Sequence, residues 1–73
     1  MNQKNKQDQV VYCLMRKNLE TRETDIRMVV GTRKAADKWL QRQAEPHFAV
    51  DDRQNRQVLC REFLYYVEQR KVR

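Results

Sequence analysis

A chain of 73 residues with 16 Lys/Arg against 10 Asp/Glu, a net charge of +6 and 36% charged side chains holds one small domain and has no room for a second core. Domains of this size bury only about 60% of the surface their unfolded chains expose, so they lean on a disulfide, a metal or self-association. Two cysteines far apart in sequence, Cys13 and Cys60, and one histidine, His47, argue against a disulfide framework and against a four-ligand zinc site, which leaves self-association as the expected helper.

Residues 1–8 are polar, with Met1 the sole apolar residue, and predict a loose tail ahead of a single domain over residues 9–73. The run VVYCLMR, Val10 to Arg16, is rich in β-branched and aromatic residues and short enough for a strand. A second strand, DIRMVVG from Asp25 to Gly31, alternates Ile26, Met28 and Val30 against Arg27 and Val29. With the polar stretch between them as a turn, these two predict an antiparallel hairpin. Thr32 then offers a cap for a helix over TRKAADKWLQRQA, whose Ala35, Ala36, Trp39, Leu40 and Ala44 share one face and which Pro46 ends. In the link that follows, Phe48 and Val50 are expected to plug the space between elements. Asp51 with Gln54 resembles a capping box, so a second helix is expected from about Asp52 to Arg70, its inner arc formed by Leu59, Cys60, Phe63, Leu64, Tyr66 and Val67.

The expected fold is therefore α+β, a hairpin followed by two amphipathic helices (ββαα), with Trp39, Leu40, Phe48, Leu59, Phe63 and Tyr66 as its main core. Strand one is apolar on both sides, which a strand shows when both its faces are covered. Two helices of one copy do not easily cover both, and a hairpin edge invites pairing. The expectation is a homodimer in which hairpins pair edge to edge or stack, with a monomer whose helices straddle the sheet as the competing structure.

Candidate functional residues follow from the same geometry. On the first helix Lys34, Lys38 and Arg42 recur every four positions and stand in one line, where like charges repel by a few tenths of a kcal/mol per pair. Facing phosphates, such a line is an asset, and Arg16, Lys17 and Arg22 near the hairpin loop extend it. On the expected second helix Val58, Tyr65 and Val72 fall seven apart, outside the inner arc. Together with Arg61 they form a stripe suited to an acidic or apolar protein partner.

Catalysis finds little support. The lone imidazole sits beside Pro46 in a link, both thiols fall on apolar stretches, and Asp51 with Asp52 are accounted for as helix-start residues. One glycine excludes a phosphate-cradling loop, and zinc-finger, RNA-recognition and helix-turn-helix signatures are absent. No cofactor is implied. Nor does any segment approach the ~18 consecutive apolar residues of a membrane span, and no signal peptide is visible. The reading is a cytoplasmic, non-enzymatic regulatory or accessory protein that binds nucleic acid through a basic helix face, or alternatively an inhibitor or adaptor that uses the Tyr/Arg/Val stripe.

Overall fold

A computed structural model describes residues 9–72; the tail expected at residues 1–8 lies outside the described residues. Its elements are β1 (Val10–Asn18), β2 (Thr24–Val30), α1 (Arg33–Gln43), β3 (Val50–Asp52), a short 3-10 turn (Arg53–Asn55), β4 (Gln57–Cys60) and β5 (Phe63–Lys71). The strands form one sheet in the order β2-β1-β5-β4-β3, and each neighbouring pair runs antiparallel.

This corrects the ββαα expectation. The hairpin and the first helix are present, but the stretch expected to form a second helix is instead three strands and a 3-10 turn. A run that is apolar on both sides satisfies a helical stripe and a buried strand equally well. Here the two-residue turn Arg61–Glu62 reverses the chain, so that Val58 opposes Tyr65, Leu59 opposes Leu64 and Cys60 opposes Phe63. Placed between β1 and β4, β5 has apolar neighbours on both faces, as an interior strand requires. Its nine-pair register with β1, from Val10↔Lys71 to Asn18↔Phe63, joins segments at opposite ends of the chain. The expected capping box is also absent, because Asp51 instead accepts two hydrogen bonds from Arg53, at 2.8 and 2.7 Å.

The helix forms for the reasons its sequence suggests. Thr32 is extended (φ −132°, ψ 152°) and its Oγ1 accepts from the Ala35 N–H at 3.1 Å, which satisfies one of the orphan donors of the first turn. Ala36 and Leu40 are buried against the sheet. Strand alternation then assigns the two faces. Tyr12 opposes Gln69, Leu14 opposes Val67, and Arg16 opposes Tyr65, which in turn opposes Val58 of β4; Tyr65 meets Trp39 of α1, so this is the helix side. Val11, Cys13, Met15 and Lys17 with Leu64, Tyr66, Glu68 and Arg70 take the other side, where no described helix lies.

The core centres on Leu14, Leu40 and Val58, each with no exposed surface. Several expected core positions are corrected by this arrangement. Phe48 and Val50 are 46% and 58% exposed and plug nothing, while the two tyrosines exchange roles: Tyr65 packs on the helix and Tyr66 lies on the opposite face. Between Leu14↔Met28 and Met15↔Ile26 the β1–β2 register slips by one, a β-bulge that leaves Arg27 without a partner residue.

Candidate functional site

The outer face of α1 carries Arg33, Lys34, Lys38 and Arg42, all exposed. Four other arginines are held in ion pairs, Arg16 and Arg27 with Asp25, Arg53 with Asp51 and Arg70 with Glu68. Among the described residues the α1 cations make no such pair. Two of them, Arg33 and Lys34, occupy the first turn, which contains no acidic residue, so they meet the positive end of the helix dipole. That placement is unfavourable for the isolated chain by a few tenths of a kcal/mol per charge at an exposed site, and a bound anion reverses its sign.

Beside this line lies a groove of about 250 Å³ between α1 and the edge strand β2. Leu14, Met28, Val30, Ala35 and Trp39 line it, and Lys38 and Arg42 stand among them. Met28 is 55% exposed. Sequence reasoning placed Met28 on the apolar side of a strand and Trp39 on the apolar side of a helix, but it did not show that the two flank an opening. The missing signal was lateral: the helix lies close enough to β1, β4 and β5 to bury Ala36 and Leu40, and does not extend over β2 far enough to close the gap. An apolar slot bordered by cations fits a ligand that alternates anionic and flat apolar groups.

The remaining cations expected at the interface are dispersed. Arg16 faces the helix side, but its guanidinium lies 4.6 Å from the centre of the Phe63 ring and 3.5 Å from Asp25. Lys17 belongs to the opposite face by alternation, and Arg22 sits in the β1–β2 turn with a left-handed φ of 69°. A second, larger depression of about 460 Å³ is lined by Arg16, Asn18, Glu23, Thr24, Asp25 and Phe63. The Arg27 hydrogen bond, with Arg16 nearby, holds the Asp25 carboxyl below the ordinary carboxylate range, so this depression contains an ionised acid and is poorly suited to an anion.

The expected partner-binding stripe does not exist as a surface, because it presupposed the second helix. Val58 is fully buried, and Tyr65 beside it lies against Trp39 with ring centres 5.7 Å apart. Arg61 is in the β4–β5 turn with its guanidinium 4.6 Å above the Phe48 ring. Val72 follows β5, its N–H donating to the Gln9 carbonyl at 3.0 Å.

No family model, curated protein or solved structure matches the chain. Among the described residues no helix is long and apolar enough to cross a membrane, and no three His, Cys, Asp or Glu side chains gather where they could hold a metal ion.

Proposed function

We propose that the protein is a non-enzymatic nucleic-acid-binding accessory protein, in which α1 tracks the phosphate backbone and the neighbouring groove receives a base. The reading rests on one observation: among the described residues Lys34, Lys38 and Arg42 stand exposed in a line without an ion pair, while four other arginines are paired. Repeats of four residues on a helix rise about 6 Å, close to the spacing of successive phosphates along a single strand, and Trp39 and Met28 lie on the groove side of that line. Base stacking on an aromatic wall with cations beside it is the usual arrangement for single-strand binding without sequence preference.

The test is a fluorescence-anisotropy titration with labelled single-stranded DNA, single-stranded RNA and duplex DNA between 50 and 200 mM salt, ranges over which phosphate contacts lose affinity steeply. Wild-type protein should bind with an affinity that falls as salt rises, and a variant carrying Lys34→Glu, Lys38→Glu and Arg42→Glu should not bind. No binding at low salt, or binding that ignores salt, overturns the proposal.

A second reading is an adaptor or inhibitor that holds an acidic protein segment, and one observation favours it. The β2 strand is a sheet edge directly beside the cationic groove, and an extended peptide adds to such an edge through main-chain hydrogen bonds. Competition between an acidic peptide and an oligonucleotide for the same groove would distinguish the two readings by their relative affinities.

A further inference from the structure

We infer that the sheet face opposite α1 is the contact surface of a homodimer, with two copies stacking these faces on each other. The face combines Val11 of β1, Ile26 and Val29 of β2, Leu64 and Tyr66 of β5, Leu59 of β4 and Val50 of β3, as the strand registers align them, around Cys13 and Met15, which are already buried within the single chain. Ile26, Val29 and Val50 are 49%, 53% and 58% exposed, and no described helix covers them.

Charge selects the occupant. The ionisable side chains on the regular positions of this face are Lys17 and Arg70 against Asp52 and Glu68, which cancel, and Glu68 accepts a hydrogen bond from Arg70 at 2.7 Å. The whole chain carries +6. A polyanion gains nothing on a face whose charges cancel. A second copy of a chain of +6 meets little repulsion there, and apolar side chains take over.

Size agrees with this choice. Strands spaced about 4.8 Å apart and rising about 3.3 Å per residue give a face of roughly 500 Å² in projection, since β3 and β4 are short. Two such faces bury about 1,000 Å² in total, the size at which a biological interface begins. Stacked sheets lie about 10 Å apart and interdigitate their inner side chains, and the domain's own small core gives it reason to gain apolar burial from a partner.

The experiment is sedimentation equilibrium of the full chain at increasing concentration, with circular dichroism to confirm folding. Wild type should sediment at twice the chain mass. Val29→Glu places a charge at an exposed position on this face and should give a folded monomer, whereas Met28→Glu, the adjacent residue on the helix side, should remain dimeric. If the wild type is monomeric across the concentration range, if Val29→Glu remains dimeric, or if Met28→Glu alone dissociates it, the inference is wrong; the last result would place association on the β2 edge or the groove. Should Val29→Glu fail to fold, Val50→Glu on β3 asks the same question at a second exposed position. Nucleic-acid binding by the α1 face is measured independently of all these outcomes.

Discussion

The Trp39 and Tyr65 rings meet edge to face, 5.7 Å between centres and 74° between planes. This contact joins α1 to the strand that was expected to be helical. Because Tyr65 opposes Val58 across β4–β5 and Arg16 across β1–β5, the pair ties α1 to the centre of the sheet and sets one wall of the groove. Aromatic pairs of this geometry contribute about 0.5–1.5 kcal/mol beyond the area they bury. A double-mutant cycle with Trp39→Leu and Tyr65→Leu, followed by urea unfolding, should give a coupling energy within that range. Coupling near zero would mean that the rings only fill space.

The sequence made part of this legible. The first hairpin and α1 were visible because each carries a local signal: period-two alternation in β2, which the bulge at Arg27 then breaks by turning Ile26 to the face of Val29, and a Thr32 cap with apolar residues three and four apart in α1. The C-terminal half was misread because FLYYV is apolar at every position and fits either period. Its strand identity depends on pairing with β1, some fifty residues earlier, and no local pattern reports such a contact. The cation line survived the correction since it lies wholly on α1. The Val58, Tyr65 and Val72 stripe did not, because its spacing of seven has meaning only on a helix.

If phosphates lie along α1, each cation removed should reduce the steepness of the salt dependence. Replacing Lys38 with alanine should lower the slope of log K against log salt by about 0.7 on single strands, with little change in thermal stability because the side chain is exposed. Replacing Arg70 serves as the control: it is already paired with Glu68 on the opposite face, so its loss should leave the slope almost unchanged.

The first turn of α1 depends on Thr32. Its Oγ1 is the only side-chain acceptor for the Ala35 N–H among the described residues, and removing such a cap costs about 1 kcal/mol. Thr32→Ala should lower stability by that amount in urea unfolding, and Thr32→Ser or Thr32→Asp should retain most of it. Asp has the further merit of placing a negative charge at the helix N-terminus, beside the otherwise uncompensated Arg33 and Lys34.

Asp25 provides a pH-dependent probe of the bulge. Its carboxyl titrates below the ordinary range, chiefly through the hydrogen bond from Arg27, which the register slip frees to turn toward it. A depressed folded-state value means that the interaction is fully present above the carboxyl's unfolded pKa and is lost as pH falls through the lower folded one. The group is exposed, so its effect on stability is small. Arg27→Ala should move the Asp25 titration, followed by carboxyl carbon NMR, upward toward the ordinary value. Arg16→Ala should move it less, because Arg16 is the weaker influence.

Three arginines, Arg22, Arg56 and Arg61, have positive φ, at 69°, 55° and 60°, a conformation that a side chain disfavours by about 1 kcal/mol or more. They mark chain reversals where glycine is the usual residue, in a sequence that has one glycine. Arg56 follows the 3-10 turn in the left-handed region, with ψ at 46°. Replacing Arg56 with glycine relieves the strain while adding unfolded-state entropy of about 0.5–1 kcal/mol, so the expected net gain is between zero and about 1 kcal/mol. Arg61 differs because its guanidinium stacks over Phe48, a contact of about 0.5–1 kcal/mol at an exposed site. Arg61→Gly should therefore gain less than Arg56→Gly, or lose stability. Equal effects in thermal unfolding would show that the Arg61–Phe48 contact contributes nothing, and removing Phe48 from each background would then leave the difference between the two variants unchanged.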